Sequence, residues 1–140
     1  MSFDVVDDLN WLAVVVATAV YYLLAAPWFA DPLFGPAWRQ SIGWDKRAGE
    51  RLGLGYYVGP LVTCLIAVIA VAMLSEATGS HSLAEGLVLG LVVAVGVACA
   101  VLFVSGALDP QRPRPIIWFA ITGGYHLVGL ITAALLIALW

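Results

Sequence analysis

Apolar side chains are concentrated in four long runs, and short polar segments separate them. The runs cover residues 10–29, 56–74, 83–104 and 116–140. At a rise of about 1.5 Å per residue, a helix of about 20 residues crosses a hydrocarbon layer about 30 Å thick. The strict alternation of polar and apolar residues found in membrane-barrel strands is absent from the runs. The pattern therefore predicts an all-α fold: an integral membrane four-helix bundle that occupies residues 1–140 as a single membrane domain.

Proline and capping residues mark the starts of the predicted helices. Ser82 and Glu85 have the spacing of a capping box, with Ser82 as the N-cap. Pro115 occupies a first helical position, where its missing N–H has no helical partner to lose. We expect Pro60 in the first turn of the second helix for the same reason. The first run ends in proline and no Lys or Arg precedes it, so we do not expect a cleavable signal peptide.

Composition supports a membrane protein and excludes several other classes. Hydrophobic residues make up 63% of the chain and charged residues 11%, whereas soluble domains carry about 25% charged residues. Six Lys and Arg residues against nine Asp and Glu residues give a net charge of −3, which does not provide the basic surface that binds nucleic acid. We therefore expect the lipid bilayer, and no nucleic acid, as a partner.

All the basic residues fall in two of the polar segments. They are Arg39, Lys46, Arg47, Arg51, Arg112 and Arg114. By the positive-inside rule these segments are cytoplasmic loops, at residues 30–55 and 105–115, and both termini are on the non-cytoplasmic side. The predicted location is the plasma or inner membrane of a cell.

The six tryptophans lie at the ends of the runs or in the first loop, where indole rings prefer the headgroup layer. They are Trp11, Trp28, Trp38, Trp44, Trp118 and Trp140. We expect all six to be interfacial anchors. The first loop mixes aromatic and basic residues, which is typical of a segment lying in the headgroup layer. A surface for docking a partner is the alternative.

Several short motifs resemble those of a known family. They are Asn10-Trp11, Pro27-Trp28, residues 33–38 (LFGPAW), residues 112–115 (RPRP), residues 124–128 (GYHLV) and a terminal Trp140. Together they span nearly the whole chain and resemble the uncharacterised four-helix membrane family numbered 1761 among domains of unknown function. The resemblance implies a fold and a membrane location, and it implies no activity.

His126 is the first candidate functional residue because it lies deep within the fourth run. An ionisable side chain at this depth has to face a partner or water. Its neighbours on one helix face are small or polar: Thr122, Gly129 and Ala133. Other positions suit lipid contact: Ile117, Ile121, Val128 and Leu135. A neutral imidazole bonded across a helix contact is the interpretation we favour, and a proton-carrying or substrate-binding residue is the alternative.

Further polar side chains lie at a comparable depth in the cytoplasmic half. Tyr22, Thr63 and Tyr125 join His126 and Thr122 in a candidate intramembrane polar site. The same layer contains Tyr21, Cys64 and Cys99, and we interpret both cysteines as packing residues without a disulfide. Such a layer is either the floor of a cavity or ordinary helix packing, and packing is the commoner case.

No catalytic, nucleotide-binding or cofactor motif occurs, so we expect no enzymatic activity, no cofactor and no metal. Glu76, His81 and Glu85 come nearest to a metal-ligand set, but the capping box already explains Glu85. Two GxxxG pairs favour close helix contacts: Gly55 with Gly59, and Gly86 with Gly90.

Two functions remain open. The leading hypothesis is a small multi-pass membrane protein that acts by helix–helix association, as a homo-oligomer or as an accessory subunit of a larger membrane complex. The alternative is a transporter or channel for a small solute or protons, with His126 and Tyr125 lining a polar cavity in the cytoplasmic half.

Overall fold

The computed structural model describes residues 3–45 and 52–140, and most of these residues are helical. These residues are 79% helical and contain no strand, which confirms the predicted all-α class. A short 3-10 helix at Phe3–Asp8 precedes five further helices. They are α1 (Trp11–Trp28), α2 (Gly35–Ser41), α3 (Leu54–Thr78), α4 (Leu83–Ala107) and α5 (Pro115–Ala138). Four of them, α1, α3, α4 and α5, are long and apolar enough to cross a membrane.

The second long helix begins earlier than its apolar run predicts. Because α3 starts at Leu54, Pro60 is its seventh residue, and the prediction that Pro60 lies in the first turn is wrong. The apolar pattern missed this start because Leu54 and Gly55 precede the continuous run. Since proline has no N–H, the helix continues through Pro60 without one of its backbone hydrogen bonds.

Capping residues fix two of the helix starts. The Oδ1 of Asn10 accepts a hydrogen bond from the Ala13 N–H at 3.2 Å at the start of α1. The hydroxyl of Ser82 accepts one from the Glu85 N–H at 3.3 Å, as predicted for α4. The Glu85 carboxylate accepts hydrogen bonds from the Ser82 hydroxyl at 2.7 Å and from the His81 backbone N–H at 3.1 Å.

The third long helix, α4, changes its hydrogen-bonding pattern along its length. Its α-helical start, Leu83–Val93, is followed by π-helical segments at Ala94–Cys99 and Phe103–Ala107, with one short α-helical piece between them. Sequence reasoning did not predict these segments. The residues that follow a π turn are rotated about 100° relative to a continuous α-helix, because the turn carries one extra residue.

The first predicted loop contains a helix that the sequence analysis did not predict. Helix α2 packs against α5, so this part of the loop covers the bundle. Gly35 permits the tight connection from α1, because a Cβ there would lie 2.4 Å from the Phe29 carbonyl oxygen. Three of the predicted cytoplasmic basic residues, Lys46, Arg47 and Arg51, lie outside the described residues.

Helix α5 is the centre of the bundle, since it packs against α1, α2, α3 and α4. Glycines make its contact with α4 close: a Cβ at Gly86 would lie 2.8 Å from the Ala138 Cβ, and one at Gly90 would lie 2.8 Å from the Ile131 Cα. This confirms that the second GxxxG pair serves a close helix contact. Gly55 and Gly59 make no such close contact, because a Cβ at either position would meet none of the described residues within 4 Å.

The central position of α5 corrects one predicted lipid-facing residue. Ile121 is only 8% exposed, and its carbonyl accepts a hydrogen bond from the Trp28 indole. A helix that packs against four neighbours has little surface left for contact with lipid. One of these neighbours, α2, was not predicted from the sequence.

The described Lys and Arg residues all lie at one end of the bundle. This end, called the basic end below, carries Arg39, Arg112 and Arg114 together with Asp31, Asp45 and Asp109. The acidic end carries the Phe3–Asp8 segment, Glu76 and Glu85. A hydrogen bond of 3.3 Å from the Asn10 Nδ2 to the Trp140 carbonyl joins the start of α1 to the end of α5 at the acidic end.

Candidate functional site

A cavity of about 740 Å³ lies among α1, α2, α3 and α5 towards the basic end. All five side chains of the candidate polar site line it: Tyr22, Thr63, Thr122, Tyr125 and His126. The five residues of the candidate site thus share one space, whereas Tyr21 and Cys99 of the same predicted polar layer do not line it. None of the described residues that line the cavity carries a formal charge at neutral pH, apart from what His126 can acquire.

The cavity exists because α3 packs closely only along its second half. Val68 and Val71 are fully buried, whereas Tyr56 and Tyr57 are 46% and 51% exposed at the start of the helix. The α5 residues that line the cavity are buried or half-buried, so α5 forms its floor. The exposed lining residues belong to α1 and α3, and the cavity therefore opens between these two helices.

His126 is held at the floor by a tyrosine from the facing helix. Its Nδ1 lies 2.5 Å from the Oη of Tyr21, a side chain that is 2% exposed. Gly129, one turn further along α5, makes room for this contact: a Cβ there would lie 2.1 Å from the Tyr21 ring. Gly129, predicted to share a helix face with His126, therefore makes room for Tyr21, the hydrogen-bond partner of His126.

Tyr125 is also fixed through its hydroxyl group. The hydroxyl donates a hydrogen bond to the Tyr21 carbonyl at 3.0 Å and lies 3.7 Å from the Cys64 Sγ. The rings of Tyr21 and Tyr125 lie 5.4 Å apart, centroid to centroid. Tyr125 therefore contributes mainly its ring to the cavity.

Aromatic side chains from the first loop cover the cavity. The Trp38 indole N–H donates to the Thr122 Oγ1 at 3.2 Å and links α2 to the cavity floor. The ring of Phe29 lies 5.2 Å from that of Trp38 and 5.4 Å from that of Tyr125. These contacts hold α2 against α5.

Three of the six tryptophans pack or form hydrogen bonds within the bundle, and whether they also lie at a membrane interface stays a prediction. Trp28 and Trp38 donate their N–H groups to α5, and Trp118 is only 9% exposed. Indole donors are satisfied inside this bundle because α5 offers a carbonyl and a hydroxyl to accept them. Trp11 and Trp140 remain 47% and 55% exposed, as an anchor would be.

The hydroxyl of Thr63 forms no hydrogen bond with the other residues of the candidate site. Thr63 is exposed, and its hydroxyl donates to the Pro60 carbonyl of its own helix at 3.0 Å. Tyr22 is half-buried at the α1 wall, whereas the adjacent Tyr21 makes the contact with His126. Tyr21 belongs to the predicted polar layer but not to the candidate site predicted from the sequence.

Helical spacing on α1 contained the signal that was missed. Ala13, Ala17 and Tyr21 recur every four residues, and all three are buried. Small residues at this spacing indicate the face that packs against a neighbouring helix, and Tyr21 continues that face. Trp38 had no comparable signal, because α2 itself was not predicted.

Neither a disulfide nor a metal-ligand cluster is found within residues 3–45 and 52–140. Cys64 and Cys99 are both free thiols. No group of three or more His, Cys, Asp or Glu side chains is close enough to hold a metal ion. The Glu85 carboxylate, one of the three weak metal candidates, caps α4 instead.

Fold and site together define a small all-helical protein with four potential membrane-spanning helices and an aromatic-lined cavity between them. A family described as "Protein of unknown function (DUF1761)" matches residues 12–138, and the chain belongs to this family. This confirms the resemblance seen in the sequence motifs. No curated protein and no solved structure matches the chain.

Proposed function

We propose that the chain is an integral membrane protein that crosses the bilayer four times, with its basic end in the cytoplasm. Large aliphatic side chains on α4 support this proposal, since Val88, Val92 and Val101 are 61%, 61% and 62% exposed. Exposure of so much apolar surface to water is unfavourable by about 25 cal/mol per Å², whereas lipid tails accommodate it. The described basic residues share one end, which the positive-inside rule assigns to the cytoplasm.

Within the membrane, we propose that the cavity binds a small, largely apolar solute. The observation that carries this proposal is the convergence of Tyr22, Thr63, Thr122, Tyr125 and His126 on one space of about 740 Å³. Ligand sites in proteins have volumes of about 300–1,000 Å³ and combine an apolar wall with few polar groups. The opening between α1 and α3 lets a solute reach this cavity directly from the bilayer.

The same geometry favours solute binding over a continuous channel. Towards the acidic end the bundle is closed by packed side chains, of which Val14, Ala17, Val68 and Val71 are fully buried. A solute or proton path through this region would require the helices to separate. The solute form of the transporter hypothesis is therefore the one that the packing favours.

Binding can be tested with the fluorescent probe N-phenyl-1-naphthylamine and the protein in lipid nanodiscs. A probe in the cavity lies near Trp38 and Trp118, so excitation of tryptophan should give saturable probe emission. Thr63→Phe places a large side chain at the cavity wall and should weaken binding about tenfold, which corresponds to about 1.4 kcal/mol.

Ile66→Phe is the matched control, because Ile66 lies on the same helix, is 63% exposed and does not line the cavity. It should bind the probe like the unmodified protein. Probe emission that rises linearly without saturation, or that is equal in all three proteins, would contradict the proposal.

A second candidate function is self-association, which the first GxxxG pair favours. A Cβ at Gly55 or Gly59 would meet none of the described residues within 4 Å, so no described helix packs closely against this pair. Small residues let membrane helices approach closely, and another copy of the chain is the partner we propose.

Native mass spectrometry of the protein in nanodiscs tests this second function. We expect a defined oligomer that Gly55→Leu shifts towards the monomer. Gly96→Leu is the control, because Gly96 also has open space around its Cβ position but does not belong to the pair. A monomeric unmodified protein, or an oligomer that Gly55→Leu leaves unchanged, would exclude the pair as the interface.

A further inference from the structure

The two ring nitrogens of His126 have different environments. Its Nδ1 is bonded to the Oη of Tyr21, which is buried and does not line the cavity. His126 itself does line the cavity. Because Tyr21 occupies Nδ1, Nε2 is the polar ring atom of His126 that remains for the cavity.

The burial of Tyr21 decides which nitrogen carries the proton. A neutral imidazole has one N–H donor and one acceptor nitrogen. Among the described residues, the Tyr21 hydroxyl has His126 as its one hydrogen-bond partner. If Nδ1 donated to this hydroxyl, the hydroxyl proton would be buried without an acceptor, at a cost of about 1–3 kcal/mol. In the opposite arrangement the donor left over is the Nε2–H, which can meet a water or ligand acceptor in the cavity. Tyr21 therefore donates to Nδ1, and the ring proton is on Nε2.

Neither of the hydroxyls beside His126 on the cavity floor is bonded to it. The Thr122 Oγ1 accepts the Trp38 N–H, and the Tyr125 hydroxyl donates to a backbone carbonyl. The Nε2–H of His126 has no partner within the described ranges, so it is the donor that His126 can offer to a molecule in the cavity. A donor in an apolar cavity favours ligands that supply an acceptor, because an unpaired donor stays desolvated when an apolar molecule fills the space.

We propose that the Nε2–H of His126 selects, among the apolar molecules that the cavity admits, those with an uncharged carbonyl acceptor, such as aromatic ketones and quinones. This inference rests on the proposed solute-binding function. Charge supports an uncharged ligand: the described lining has no Lys or Arg to pair with an anion and no Asp or Glu to pair with a cation. The aromatic walls suit a flat ring system.

Benzophenone and diphenylmethane form the matched pair of probes for this proposal. They have nearly the same size and differ in whether a carbonyl or a methylene joins the two rings. Each is titrated against bound N-phenyl-1-naphthylamine in nanodiscs, and the ratio of the two displacement constants is compared between protein variants. This comparison cancels the unequal partition of the two probes into lipid.

The test variant is Tyr21→Phe combined with His126→Phe, which removes both partners and leaves no buried hydroxyl unpaired. We expect the preference for benzophenone to fall about tenfold in this variant. His81→Phe is the matched control, because it makes the same change at the acidic end and should leave the preference unchanged. Irradiated benzophenone should cross-link to peptides of α1 and α5 in the unmodified protein.

The outcomes separate this inference from the function on which it rests. Equal benzophenone preference in the unmodified protein and the double variant would overturn carbonyl selection while solute binding stands. Stronger displacement by tetraphenylphosphonium than by benzophenone would overturn it in favour of a cationic ligand. Absence of saturable naphthylamine binding would instead overturn the proposed function.

If the double variant fails to fold, His126→Phe alone gives the decisive result. This variant removes the Nε2–H and keeps a ring of similar size, so the preference for benzophenone should fall about tenfold. An unchanged preference in this variant would overturn the selection by His126.

Discussion

At the scale of single residues, Gly129 determines where the Tyr21 ring lies. The ring occupies the space that a Cβ at this position would fill, at 2.1 Å from two of its carbon atoms. From there the Tyr21 hydroxyl reaches His126 and its carbonyl receives the Tyr125 hydroxyl. Because Gly129 has no Cβ, Tyr21 can lie where it contacts both His126 and Tyr125.

Gly129→Ala should therefore displace Tyr21 and reduce the free energy of unfolding by about 1–3 kcal/mol, the usual cost of overpacking a core. Unfolding in mixtures of SDS and mild detergent, followed by tryptophan fluorescence, measures the change. Gly123→Ala on the same helix is the control, since its Cβ would lie 3.5 Å from the nearest atom, an ordinary contact. Equal stability of the two variants would show that Gly129 does not position Tyr21.

The sequence predicted much of the candidate site at this scale but not its central contact. His126, Thr122 and Tyr125 were recognisable because polar side chains deep in an apolar run are uncommon. The choice between Tyr21 and Tyr22 depends on the rotation of α1 about its axis. That rotation is set by packing against α5, which the composition of α1 alone does not reveal.

At the scale of elements, the second π-helical segment of α4 aligns this helix with α5. It places Gly106 against the face of Trp118, where a Cβ would lie 1.8 Å from the ring atom Cζ3. The guanidinium carbon of Arg112 lies 4.0 Å from the same ring, so a cation–π contact covers it from the loop. The start of α5 is therefore fixed between a glycine and an arginine.

Gly106→Ala should push Trp118 out of this contact, because the new methyl group and the indole ring cannot occupy the same space. We expect a red shift of tryptophan emission together with a loss of about 1–3 kcal/mol in unfolding free energy. Gly96→Ala tests the other π-helical segment, where the added methyl group meets nothing within 4 Å. Gly96→Ala should leave the tryptophan emission and the unfolding free energy unchanged. A similar loss of unfolding free energy in Gly96→Ala would show that the π-helical geometry, and not the contact with Trp118, causes the effect.

Long elements were predictable from the sequence, whereas short and irregular ones were not. The four apolar runs gave the four long helices within a few residues at each end. The seven-residue helix α2 was missed because it lies in a mixed polar and aromatic loop without a helical period. The π-helical segments have no side-chain pattern of their own, because they result from how α4 fits against α5.

At the scale of the whole molecule, the bundle is closed at one end and open at the other. The buried valines of α1 and α3 join the helices towards the acidic end, while the first turns of α3 stand apart at the basic end. The open end is the end that carries the described arginines. With the proposed orientation, the cavity lies in the cytoplasmic half of the bilayer.

Orientation is testable with two single cysteines in a Cys64→Ala, Cys99→Ala background. A membrane-impermeant maleimide added to intact cells should label His81→Cys at the acidic end. It should label Gln111→Cys, in the loop at the basic end, only after lysis. Both native positions are exposed in the structure. The reverse labelling pattern would place the basic end outside and contradict the positive-inside assignment.

The central helix of the bundle also has a consequence for biosynthesis. Helix α5 leaves the ribosome after the other four helices, yet it is the helix against which all of them pack. Before α5 is made, α4 lacks its chief partner and its glycine face remains uncovered. The bundle therefore completes its packing only after all four long helices have been synthesised, and the cavity, whose floor is α5, forms last.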